Sequence, residues 1–208
     1  MFIVTGPRDV PAPTAWFDVG SASAEAIVHG QWWRAITALT LHADVMHLVG
    51  NVIACLIFVS AVGRWLGPGL GASLIVGSAA VANGLTAVWH RREFVSVGAS
   101  TATFVAIGLV AGLQLVRRWR YDVVRRRYAW LPLGAALGLF AMLGVGEHAD
   151  VGAHLFGLCV GAVVGTVFAG SRLGAPARLG QALLIVLVSA VLVGAWLLAF
   201  RASGRALP

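Results

Sequence analysis

The chain has 208 residues, of which 59% are hydrophobic and only 11% charged, with a mean hydropathy of +0.88. Too little polar surface is available to cover a water-soluble globule of this size, and a soluble domain is excluded. The formal net charge of +7 rests on fifteen arginines and no lysine, a balance that by itself suits nucleic acid or an anionic membrane surface.

Residues 1–28 hold no span, because the apolar run Met1 to Val4 is short and Pro7, Pro11 and Pro13 break the stretch after it. No basic region precedes an early apolar run, so no cleavable signal peptide is expected. A membrane-crossing helix needs roughly 20 mostly apolar residues. Six stretches meet that need, at about Val45–Val62, Leu70–Trp89, Ala99–Val116, Ala129–Gly146, Val151–Ala169 and Ala182–Phe200. Turn signals such as Gly67-Pro68-Gly69 and Gly174-Ala175-Pro176 separate them. The expected fold is therefore all-α, a polytopic bundle of six transmembrane helices. Cys55 and Cys159 each lie inside an apolar run and read as small buried hydrophobes rather than a disulfide framework.

The arginines orient this bundle. If connectors alternate sides, one side carries Arg64, Arg117, Arg118, Arg120, Arg125, Arg126, Arg127, Arg172 and Arg178 against the single acid Asp122. The other carries Arg8, Arg34, Arg91, Arg92, Arg201 and Arg205, offset by Asp9, Asp18, Glu25, Asp44, Glu93, Glu147 and Asp150. The positive-inside rule makes the first side cytoplasmic and puts both termini outside. The cluster then reads as a topology signal at the lipid bilayer, and no nucleic acid partner is expected, since no nucleic-acid module accompanies it.

Polar groups at membrane depth are costly and mark candidate functional positions. Three segments carry them: Leu41 to Asn51 with His42, His47 and Asn51; Ser96 to Ala102 with Gly98 and Ser100; and Asp150 to Gly157 with His154. Alternating connectors make the first, third and fifth spans run inward from the outer face, so Ser100, His47, Asn51 and His154 share a depth. Gly157, Gly161 and Gly165 form a stripe on the histidine helix, and Gly108 and Gly112 do similarly on the serine helix, which favours close approach of the two.

Trp33-Arg34, then His42, His47 and Asn51, then Gly98-Ala99-Ser100, then Ala153-His154 with Gly157 and Gly161 stand in the order found in the rhomboid family of intramembrane serine proteases, which this chain resembles over about residues 29–170. The resemblance implies a catalytic Ser100–His154 dyad. It implies oxyanion donors at His47, Asn51 and the Ser100 backbone, an aromatic support for the imidazole at Phe104, and an interfacial loop at Trp33 and Arg34. It implies transmembrane protein substrates and no cofactor or metal. On this reading residues 1–28 are an extracytoplasmic segment, 29–170 the catalytic core, and 171–208 an additional C-terminal helix and tail.

Three positions depart from the family pattern. Thr101 follows the serine where glycine is common, Phe104 stands where tyrosine is common, and residues 1–32 hold no apolar run long enough for the helix that precedes the Trp-Arg loop in the family, so either the protein dispenses with that helix or this start lies inside a longer gene. A noncatalytic rhomboid-like protein that binds transmembrane segments is the alternative. A zinc protease is disfavoured because no His-Glu-x-x-His occurs, and a transporter because no internal repeat or broken helix pair is found. Asp150, one turn before His154, is a lesser candidate to orient the imidazole, and Glu147 and His148 are expected in a loop over the cavity. The arginine-rich, lysine-free composition suits a GC-rich bacterial genome and a plasma-membrane location with the site facing outward.

Overall fold

The computed structural model describes residues 3–4, 14–90, 94–121, 126–145, 150–171 and 173–204. Arg8, Asp9, Arg91, Arg92, Glu93, Asp122, Arg125, Glu147, His148, Arg172 and Arg205, on which part of the charge reading and the expected loop over the cavity rest, lie outside the described residues. In chain order the elements are β1 (Ile3–Val4), α1 (Ala15–Gly20), β2 (Ala22–Ser23), α2 (Ala24–Val28), α3 (Arg34–Thr37), β3 (Leu41–His42), α4 (Val45–Leu66), α5 (Pro68–His90), β4 (Val95–Ser96), α6 (Ser100–Tyr121), α7 (Leu131–Leu143), α8 (Val151–Gly170) and α9 (Arg178–Ala202). β1 pairs in parallel with β3, and β2 antiparallel with β4.

Residues suited to helix ends mark several of the boundaries. Asp44 caps α4 by accepting the His47 backbone N–H at 2.8 Å, and Asp150 caps α8 through Ala153 N–H at 2.8 Å. Between α4 and α5 the chain turns at Gly67, whose φ of 81° favours glycine, and Pro68 opens the next helix. Gln181 of α9 stitches this turn: its Oε1 accepts from the Gly69 and Leu70 amides, and its Nε2 donates to the Leu66 carbonyl at 2.8 Å.

Among the described residues α4, α5, α6, α8 and α9 are long and apolar enough to cross a membrane. The protein is a multi-pass membrane protein of the all-α class. The expected count of six is not reached by length, because the stretch Ala129–Gly146 forms only the 13-residue α7. At 1.5 Å per residue α7 is about 20 Å long, short of a hydrocarbon core of about 30 Å. The chain nevertheless returns between α6 and α8, since those two helices lie side by side and parallel, with Thr101, Val105 and Leu109 facing Gly157, Gly161 and Gly165 in turn.

α6 is the centre of the bundle: 67% of its apolar window is buried, against 11% for α4. A Cβ at Gly157, Gly161 or Gly165 would meet the carbonyl oxygens of Thr101, Val105 and Leu109, and one at Gly108 or Gly112 would meet those of Leu158 and Ala162. Glycine from both helices thus lets the two backbones touch along several turns. Many apolar side chains on the outside of the bundle, including Ile53, Leu56, Val163, Leu183 and Val186, are exposed and suit lipid.

The two ends of the bundle differ in charge. Arg117 stacks over Trp65 at 4.8 Å, and Arg120 Nη1 donates to the Gly170 carbonyl at 3.0 Å, so the C-termini of α4, α6 and α8 meet at one basic end. That placement also sets positive side chains against the negative ends of the helix dipoles. The N-termini of α4, α6 and α8 gather at the opposite end, with Asp44 and Asp150 as caps.

Candidate active site

Ser100 is the first residue of α6, where the backbone N–H groups of the opening turn have no acceptor within the helix. Gly98 leads into it with φ at 135°, a conformation glycine adopts freely. A Cβ there would stand 2.8 Å from His47 Nε2 and 3.5 Å from Ser100 Oγ, so glycine also lets the His47 ring approach the serine.

One turn into α8, His154 is buried and its Nε2 lies 2.8 Å from Ser100 Oγ. Its Nδ1 is 3.0 Å from the Gly144 carbonyl, just past α7. A carbonyl only accepts, so the proton of the neutral ring sits on Nδ1 and Nε2 is left to accept from the serine hydroxyl. Nothing in sequence spacing marks a backbone carbonyl, and Gly144 is accordingly absent from the residues that sequence alone singles out. Asp150, the lesser candidate for this orienting task, instead spends its Oδ1 on the cap of α8.

Phe104 is buried one turn below Ser100, its ring centroid 4.6 Å from that of His154 and tilted by 32°. Phe140 of α7 meets Phe104 edge-on at 5.8 Å, so the ring that backs the imidazole is itself held by a second ring from another helix. Thr101 is buried, with its methyl facing Gly157 across the α6–α8 seam. The β-branched side chain beside the serine is accommodated by the absence of a side chain on the partner helix.

On α4, His47 is half-buried and Asn51 buried on the inward face. One Asn51 N–H is given to the His47 carbonyl at 3.0 Å, which leaves the amide a second donor. His42 packs edge-on against His47, ring centroids 5.2 Å apart. Trp33 packs against the cluster of Val19, Leu41, Trp196 and Phe200, and Arg34 makes its bonds elsewhere than the serine: Nε donates to Gln31 Oε1 at 2.6 Å, Nη1 to the Ser21 carbonyl at 3.0 Å and Nη2 to the Asp18 carbonyl at 2.8 Å. One guanidinium therefore ties α1 and the residue that ends it to the start of α3, a use of its planar fork that lysine could not match.

His42 is fully buried, and burial first, then the neighbouring His47, push its pKa from 6.5 down to about 4, with the Thr40 backbone and Asp44 working the other way. Between those values the unfolded chain binds a proton that the folded chain refuses, so stability falls as pH drops from about 6.5 toward about 4. Thermal unfolding in detergent is expected to show this loss, at a slope of up to about one proton, and His42→Gln should flatten it.

A family model, the Rhomboid domain, matches residues 29–171. The chain belongs to the rhomboid family. Among its relatives, “Putative rhomboid protease YdcA” of Bacillus subtilis is 30% identical over 70% of this chain and 72% of its own length. “Rhomboid protease GluP” of Bacillus subtilis is 29% identical over 84% of this chain and 33% of its own length. “Rhomboid-like protease 3” of Toxoplasma gondii is 30% identical over 69% of this chain and 54% of its own. This rhomboid thus spans most of the first of these relatives, and only a third to about half of the other two. The matched region contains Ser100, His154, His47, Asn51 and Gly98, whereas α1 and α9 fall outside it on either side.

Proposed function

We propose that this protein is an intramembrane serine endopeptidase that cleaves transmembrane proteins with a Ser100–His154 dyad. The observation that carries the reading is the 2.8 Å contact between Ser100 Oγ and His154 Nε2, with Nδ1 committed to the Gly144 carbonyl. As Ser100 Oγ attacks the scissile carbonyl carbon, its proton passes to His154 Nε2 and the carbonyl π electrons move onto oxygen. The C–N bond then breaks, the proton goes to the leaving amine, and an acyl-serine remains. Water attacks this ester, giving a proton to His154; the acyl C–O bond then breaks, His154 returns that proton to Ser100 Oγ, and the acyl part leaves as a new carboxyl terminus. His47, the spare Asn51 N–H and the amide of Ser100 stabilise the oxyanion, and the positive end of α6 adds to them.

The catalytic core is residues 29–170, with 1–28 an extracytoplasmic segment and 171–208 an additional helix and tail. The arginine-rich end faces the cytoplasm of a plasma membrane and the site faces outward, by the positive-inside rule. Substrates are cut near the outer end of a single span, where small or helix-weakening residues let the backbone unwind.

In membranes, the wild-type protein is expected to cleave a model transmembrane substrate and to react with a fluorophosphonate probe, and Ser100→Ala to do neither. Equal cleavage by Ser100→Ala rejects the mechanism. Tight binding of the substrate span without cleavage or labelling by the wild type would favour the noncatalytic rhomboid-like alternative.

A further inference from the structure

The two segments that flank the matched family region meet each other at the site end of the bundle. Trp16 of α1 stands edge-on to Trp196 and Phe200 of α9, ring centroids 4.9 and 5.0 Å away. Together with Val19 and Ala199 these rings enclose Leu41 of β3, and Val97 packs against the same cluster. A chain of buried hydrogen bonds runs through it. Trp196 Nε1 donates to Thr40 Oγ1 at 3.1 Å, Thr40 Oγ1 to the Thr37 carbonyl at 2.8 Å, and Thr37 Oγ1 to the Gly20 carbonyl at 2.7 Å. The Trp196 ring lies so close to Gly20 that a Cβ there would collide with it.

The segment held in this way reaches the site by two routes. The Ala38 carbonyl accepts the Gly98 backbone N–H at 3.0 Å, two residues before Ser100. β3 runs from Leu41 to His42, whose ring braces His47. Thus one short stretch, Thr37 to His42, touches the backbone that presents the nucleophile and the imidazole beside it. α1 and α9 pack against it through Leu41, while Leu39 joins the core of α4, α5 and α6 and β1 pairs with β3.

We propose that α1 and α9 form a clamp on residues 37–42 that sets the position of Gly98, Ser100 and His47, with Trp196 and Thr40 as positioning residues for the hydrolysis; this rests on the Ser100–His154 dyad proposed for the protein. An oxyanion site works only when its donors are fixed before charge develops, so a small displacement lowers turnover. Thr40 and Trp196 are buried among protein side chains rather than along the outside of the bundle where a substrate helix would bind, so KM is spared.

The test uses the full chain in proteoliposomes with a fluorogenic transmembrane substrate, at a temperature where every variant is folded by its unfolding curve. Thr40→Val keeps the side-chain shape and removes the hydroxyl, Trp196→Phe keeps a ring and removes the N–H, and Thr40→Ser restores the acceptor. Each of the first two is expected to lower kcat by about tenfold and slow fluorophosphonate labelling in parallel, with KM within about twofold. The double variant should be no worse than Thr40→Val alone, because the bond that Trp196→Phe removes is already lost there, and Thr40→Ser should turn over like wild type. Wild-type kcat in Thr40→Val, a change confined to KM, additive losses in the double, or failure of Thr40→Ser to restore kcat would overturn the clamp. Activity in the wild type with unaltered variants sinks the clamp alone, whereas an inactive wild type sinks it together with the protease reading.

Discussion

Gly161→Ala is expected to destabilise the folded protein by about 1–3 kcal/mol or more and to remove most of its activity, whereas Gly84→Ala should leave both near wild type. A Cβ at Gly161 would meet the Val105 carbonyl and Cα of the neighbouring helix, while one at Gly84 meets nothing within 4 Å. The obstacle at Gly161 is backbone, which no rotamer change can move aside, so α6 and α8 must separate or tilt, at a cost typical of an overpacked core, about 1–3 kcal/mol or more. Separation matters chemically because these two helices carry Ser100 and His154, whose contact is 2.8 Å. At Gly84 the added methyl should even help slightly, by up to about 1 kcal/mol of helix propensity. Unfolding in detergent, monitored by circular dichroism alongside substrate cleavage, checks both. Equal behaviour of the two variants would show that the glycine seam does not hold the pair together.

His154→Ala should lower kcat by about 10⁴-fold and abolish fluorophosphonate labelling, while the unfolding midpoint drops by only a few degrees. The loss is large because Ser100 has no other base in reach of its hydroxyl among its described hydrogen bonds. Without Nε2 the serine must attack as a neutral alcohol, and the oxyanion donors proposed on α4 and at the start of α6 can supply only the residual rate. The structural cost is small by comparison, since Phe104, the ring that backs the imidazole, still packs on Phe140. Labelling of His154→Ala at the wild-type rate would require a different base and would refute the dyad.

The fold class, the membrane spans α4, α5, α6, α8 and α9, and the alignment of Ser100 with His154 are legible in the linear chain. Hydropathy over about 20 residues reports bilayer crossing directly, because lipid offers no partner for backbone or charge. A glycine every fourth residue reports close helix approach, and motif order reports which helices carry the polar groups. The length of α7 is not legible: apolar residues continue through Ala129–Gly146, yet the helix stops at Leu143, so that the Gly144 carbonyl is free to meet His154. Hydropathy cannot see that stop, since a residue that leaves the helix to bond an imidazole is no less apolar.

Other features are decided only by tertiary structure. Sequence leaves the group that orients the imidazole open between a carboxylate and anything else, and the answer is a backbone carbonyl, a group every residue has and no motif can flag. Thr101 is a departure from the family pattern in sequence, and only the fold shows that its methyl is placed against Gly157. The reach of α9 to Thr40 likewise joins residues 156 apart in sequence. Sequence reports local periodicity and the free energy of transfer into lipid, which belong to single segments. Contacts between segments depend on how helices rotate and how deep they sit against one another, and only the folded bundle determines those.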